Sequence, residues 1–104
     1  MDLSDIQLIL KQRTEGKDVF HPAKLVMFLG EMGILCENIQ YYKEDPTPEN
    51  REECKKAFCN AVIMLCQFAN DCGLDLPPEL TDHWQWFLDW EKNNGLNQSN
   101  KSAN

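Results

Sequence analysis

The segment from Pro48 to Cys72 has no glycine and, after its first residue, no proline, and its apolar residues cover most of a helical surface. Cys54, Phe58, Ala61, Val62, Leu65, Phe68, Ala69 and Cys72 recur at three- and four-residue spacing as a core-facing set. Ile63, Met64 and Cys66 make the other faces apolar too. A helix that is apolar nearly all round is covered on more than one side. In a chain of 104 residues, that makes it either the centre of a bundle or part of a subunit interface. Its ends are well marked. Thr47 suits the N-cap, Pro48 suits N1, and Glu49, Glu52 and Glu53 sit near the positive end of the helix dipole. Gly73 supplies the stop.

The remaining segments have the same helical period. Ser4-x-x-Gln7 has the form of a capping box, and Ile6, Leu8, Ile9 and Leu10 follow it, so a first helix should end before Gly16. Asp18 to His21 is a connector, with His21 read as a helix-start residue. Pro22 fits the first turn of a second helix that carries Leu25, Phe28, Leu29, Met32, Leu35, Cys36 and Ile39. Pro46 disfavours a helical Asp45 and closes that helix after about Tyr42. Pro77-Pro78 restarts the chain, and a fourth helix bears Trp84, Trp86, Phe87, Leu88 and Trp90 before Gly95. The pattern predicts an all-α domain over 1–95, with helices near 4–14, 22–42, 48–72 and 80–93. A polar, disordered tail is expected over 96–104.

Charge and cysteine usage exclude several functions. The 17 acidic residues outnumber the 10 basic ones, for a net charge of -7, and the Lys and Arg are scattered. That distribution argues against a phosphate-backbone footprint on duplex nucleic acid. No apolar run approaches the ~20 residues that span a bilayer, and the start Met1-Asp2-Leu3-Ser4-Asp5 lacks a charged segment followed by an apolar one. A soluble, cytoplasmic protein without a membrane partner is expected. Cys36, Cys54, Cys59, Cys66 and Cys72 are odd in number and contain no Cys-x-x-Cys pair, so they read as buried thiols acting as small hydrophobes. Cys59 and Cys66, seven apart, fall on one helical stripe.

Three stretches resemble a known family: His21-Pro22-Ala23-Lys24-Leu25, Glu31-Met32-Gly33, and Val62 to Leu76 with its closing Phe68-Ala69-Asn70-Asp71-Cys72-Gly73-Leu74-Asp75-Leu76. Together they are similar to the MazG-type all-α nucleotide pyrophosphohydrolases, over about Leu3 to Leu76. The resemblance implies a four-helix bundle that assembles as a homodimer or homotetramer and binds a nucleoside triphosphate. It also implies Mg²⁺ held by Glu-x-x-Glu on one helix and Glu-x-x-Asp on the next. Spacing of i,i+3 puts both carboxylates of a pair on one helix face. In this chain the first pair falls on Glu31 and Ile34, and the second on Ala57 and Asn60. Three of those four positions therefore lack a carboxylate.

Glu37 and Glu53 stand near the altered positions, so Glu31, Glu37, Glu53 and Asn60 form the candidate metal set, with Mg²⁺ held weakly if at all. Lys24, Glu31, Glu37 and Asn60 form the candidate ligand set, with Trp86 as a stacking wall for a base. His83, Trp86, Phe87 and Trp90 equally fit a core or interface stripe. No catalytic residue is assigned. The leading expectation is a MazG-like protein that binds or sequesters a nucleotide after losing hydrolysis. The alternatives are an active pyrophosphohydrolase with a rearranged site and a helical protein-protein interaction module. Common NTPs and dNTPs with Mg²⁺ or Mn²⁺ are expected to yield no pyrophosphate in a release assay. Robust release that Glu31→Gln or Glu53→Gln abolishes would install the rearranged-site enzyme instead.

Overall fold

In a computed structural model of the chain, residues 1–14 and 20–95 are described. They form four α-helices, α1 Leu3–Thr14, α2 Ala23–Glu44, α3 Pro48–Asp71 and α4 Leu76–Trp90, with a turn of π-helix at Glu91–Gly95. There is no strand among the described residues, so the all-α expectation holds. The expected stop at Gly16 and the tail over 96–104 lie outside the described residues.

Local chemistry sets the helix ends, in places differently from the sequence pattern. Asp2, not Ser4, caps α1: Asp5 N donates to Asp2 Oδ1 at 3.0 Å and Asp2 N donates back to Asp5 Oδ2 at 3.1 Å. This reciprocal pair is a capping box, and it leaves Gln7 for another task. At α2 the His21 ring does the capping, its Nδ1 accepting from Ala23 N at 3.0 Å. Thr47 caps α3 as expected, its Oγ1 accepting from Asn50 N at 3.1 Å. α4 begins at Leu76 rather than near residue 80, because Pro77 and Pro78 both sit in its first turn, where a missing N–H costs nothing. Gly73, at φ 71°, ends α3 in a Schellman motif: Leu74 N donates to Ala69 O at 2.8 Å and Gly73 N to Asn70 O at 3.0 Å.

α3 is the central element, with α2 packed along one side and α1 on another. The α2 contact follows a ridge of small side chains, Cys54, Ala57 and Ala61, all buried. Small residues let two helix backbones approach closely, and Phe28 meets Phe68 edge-on at 5.3 Å between ring centroids to set the register of the hairpin. Cys66 and Ala69 are buried further along α3, Cys66 one turn before Asn70 on the stripe that meets α1. Burial pushes the Cys66 thiol above its ordinary pKa.

This seating corrects part of the expected core. Of the core-facing set, Cys54, Ala61 and Ala69 are buried and Phe68 is half-buried, whereas Phe58, Val62, Leu65 and Cys72 are exposed. α2 sits on the small residues, so the large ones are left on the flank. Cys66, expected to widen the apolar surface, is instead the most buried side chain, at 0% exposure. Among the cysteines only Cys54 and Cys66 are buried; Cys36, Cys59 and Cys72 are exposed thiols. Cys59 shares the Cys66 stripe, but the 12 residues of α1 extend only ~18 Å and cover the C-terminal half of α3.

A buried amide joins α1 to the elbow between α3 and α4. Gln7 is 6% exposed and is the buried polar residue of the described chain. Its Nε2 donates to Asn70 Oδ1 at 3.0 Å and to the Leu74 carbonyl at 2.9 Å, and its Oε1 accepts from Leu76 N at 2.8 Å. Asn70 Nδ2 returns a bond to the Gln7 carbonyl at 2.9 Å. Beyond this elbow α4 leaves α3 at 102° and packs near α1. The radius of gyration is 17.7 Å, against about 13 Å for a compact chain of this length. No Leu, Ile, Val, Met, Phe or Trp is buried among the described residues.

Gln7→Ala strands the Leu76 N–H, the Leu74 carbonyl and the Asn70 amide together, so a loss of about 2–3 kcal/mol is expected in urea unfolding. Asn70→Ala should cost nearly as much, and the double variant little more than either alone, which a double-mutant cycle measures.

Candidate functional site

The two sides of the α2–α3 pair differ in polarity, although Met27, Ile34 and Ile63 are exposed on the more polar one. Two helices joined by the short turn 45–47 run antiparallel, and the Phe28–Phe68 contact fixes their levels. At 100° per residue, Glu31, Asn38, Glu53, Asn60, Gln67 and Asp71 then fall on one side of the pair. Leu25, Leu29 and Cys36 of α2 fall on the other, with Phe58, Val62 and Leu65 of α3.

The expected site residues separate on this frame. Glu31 is half-buried and level with residue 65, and Asn60 lies about 8 Å further along the pair toward the hairpin turn. Glu53 is exposed, roughly 18 Å from Glu31 along the axis, and pairs with Lys56 at 3.6 Å. Glu37 is exposed about 120° round α2 from Glu31. Lys24 is half-buried at the start of α2, level with residue 72, on the same side as Glu31 but two turns, about 10 Å, from it. Trp86 is exposed on α4, stacked on His83 at 5.1 Å.

Asp71 and Gln67 join Lys24 at that end, and the sequence reading passed over both. Gln67 Nε2 donates to Asp71 Oδ1 at 3.3 Å, while Asp71 Oδ2 is buried with no hydrogen-bond partner. Their i,i+4 spacing is visible in the sequence, but an acidic residue and an amide at that spacing are commonplace on solvated helices.

Ala57 is the informative family position. It is buried against α2, 8% exposed, so a carboxylate there would point into the helix contact rather than into water. Ile34, by contrast, is exposed. No three His, Cys, Asp or Glu among the described residues converge to hold a metal ion. The described carboxylates near Glu31 thus offer fewer converging oxygens than the six that Mg²⁺ prefers.

A concavity of about 360 Å³ lies between α1 and the α3–α4 elbow, lined by Ser4, Lys11 and Asp75 over the Gln7–Asn70 pair. The amides at its floor are already bonded to each other and to the elbow backbone, so it reads as the open side of a structural clamp. No single described helix is long and apolar enough to cross a membrane. No known protein family, curated protein or solved structure matches the chain.

Burial makes the family positions unequal. Ala57→Glu is expected to destabilise by at least about 2 kcal/mol in metal-free urea titrations, because it places an unpaired charge in the α2–α3 contact. Ile34→Glu and Asn60→Asp, on exposed positions, should stay within about 0.5 kcal/mol of the parent.

Proposed function

We propose that this chain is a helical association module that works as a homodimer. The observation that carries the reading is the apolar flank of the α2–α3 pair, where Leu25 and Leu29 of α2 and Phe58, Val62 and Leu65 of α3 are all exposed on one side of the hairpin. Leu29 alone is 69% exposed. Soluble monomers seldom leave a contiguous apolar face of this kind uncovered, and two-fold association is the commonest way to cover one. Isolated exposed leucines carry no such argument, but this row spans two helices.

A second reading, nucleotide binding without hydrolysis on the polar side, has a specific observation in its favour. Lys24 and the unpartnered Asp71 oxygen lie at one level of that side, with Glu31 on the same side about 10 Å away along the pair. A buried acceptor left unbonded is costly and marks a place where a donor fits. The MazG-like resemblance supports the same reading. Mass spectrometry of the protein denatured as isolated tests it: a released nucleotide supports it, and an empty protein that also fails to bind added NTPs by equilibrium dialysis removes it.

For the association reading, light scattering at micromolar concentration is expected to give about twice the 12.1 kDa chain mass. Leu29→Asp and Phe58→Asp, at exposed positions of the isolated chain, should return monomers with unchanged helical circular dichroism. A parent protein that stays at the monomer mass overturns it.

A further inference from the structure

The most exposed element in the molecule is α4. Every residue from Glu79 to Trp90 is exposed, although Leu80, Trp84, Phe87 and Leu88 recur at three- and four-residue spacing as one face, widened by Trp86 and Trp90. The rings are ordered against each other, Trp84 on Phe87 at 5.6 Å and Phe87 on Trp90 at 6.4 Å, but not against the body of the chain. A helix this amphipathic is built to lie on an apolar surface.

The chain also has an apolar surface lacking a helix, and the elbow holds the two apart. Gln7 bonds both the Leu74 carbonyl and the Leu76 amide, and Gly73 is fixed in the left-handed Schellman turn. That clamp sets α4 at 102° to α3, and its packing within the chain is against α1 rather than α2. We propose that a second copy of this chain is the occupant: α4 of each protomer lies on the Leu25, Leu29, Phe58, Val62 and Leu65 flank of its partner. The inference rests on the self-association reading above and specifies how it is achieved.

Area and charge both fit. Scaled by their exposures, the apolar side chains of α4 and of the flank expose roughly 1,000 Å² per chain. A standard interface needs about 800 Å² per partner. α4 carries Glu79, Asp82 and Asp89 and neither Lys nor Arg. The hairpin end of the flank carries Lys43 and Arg51, both exposed and without an ion pair among the described residues. Exchange of an identical element about a two-fold axis satisfies both surfaces at once and leaves no open edge.

All three tryptophans of the chain, Trp84, Trp86 and Trp90, are on α4, so their emission reports its covering alone. Emission and light scattering are followed over one dilution series of the full chain. The expected result is a dimer whose emission is blue-shifted and shielded from acrylamide, with both properties lost together on dilution. Trp84→Asp and Leu29→Asp should each be monomeric, and an equimolar mixture should recover dimer, because one intact α4 meets one intact flank. A dimer with fully exposed tryptophans, or a Trp84→Asp protein that still dimerises, overturns the exchange while self-association stands. Tryptophans shielded at the monomer mass show α4 closing on its own chain and overturn it too. A monomer with exposed tryptophans removes both the exchange and the reading beneath it.

Discussion

The buried amide of Gln7 is the interaction on which the rest of the arrangement depends. It satisfies the two backbone groups that the α3–α4 elbow would otherwise leave unbonded, the Leu74 carbonyl and the Leu76 N–H, and holds Asn70 as well. A buried amide with every group paired is worth more than its separate bonds, because each partner fixes the geometry of the others. One side chain therefore docks α1 on α3 and fixes the direction of α4. With an apolar residue in its place, the elbow backbone would have to turn to water, and α4 would lose its fixed bearing.

The packing of α3 has the opposite character, since it works through small residues. Cys54, Ala57 and Ala61 let α2 come close, but they bury little area, and Cys66 is the largest fully buried side chain. Full burial of a Leu or Phe typically contributes about 1.5–3 kcal/mol, and no Leu or Phe among the described residues is fully buried. Phe28, Met32, Leu35, Ile39 and Phe68 are only half-buried between the helices, and many other large apolar side chains stand exposed on the flank and on α4. Much apolar surface of the described chain is thus left exposed, on the flank and on α4. This is the physical content of the association proposed above: α4 meets α1, yet every residue from Glu79 to Trp90 is exposed.

The helices themselves were legible because their signals are local. Thr47 and Pro48, the Gly73 stop, and the break at Pro46 are each decided within a few residues, and the structure follows them. Where two local signals competed, the pattern misled. Ser4-x-x-Gln7 and Asp2-x-x-Asp5 both have capping-box form, and the Asp pair caps α1 because Gln7 has three partners waiting more than sixty residues away. The start of α4 was misplaced for a similar reason: two consecutive prolines look like a break, yet both are tolerated in a first turn. Of the candidate site, Lys24 and Glu31 could be read from the sequence. Asp71 and Gln67 could not, because nothing in a single chain marks an acidic residue whose oxygen ends up buried and unpaired.

The sequence by itself determined that the chain is helical, where its four helices lie within a few residues, and that the segment from Pro48 to Asp71 is apolar on more than one side. Helical period, caps and breakers act between residues close in sequence, so no tertiary contact was needed to read them. Only the tertiary structure decided which face of that helix is covered. It placed small residues against α2, sank Cys66 and Gln7, and left Phe58, Val62 and Leu65 in the open. It also carried Glu37 and Glu53 away from Glu31. The choice among nearly equivalent apolar faces depends on how closely two backbones can approach and on which buried polar groups find partners. Both are properties of residues brought together from opposite ends of the chain, as Gln7 and Asn70 are.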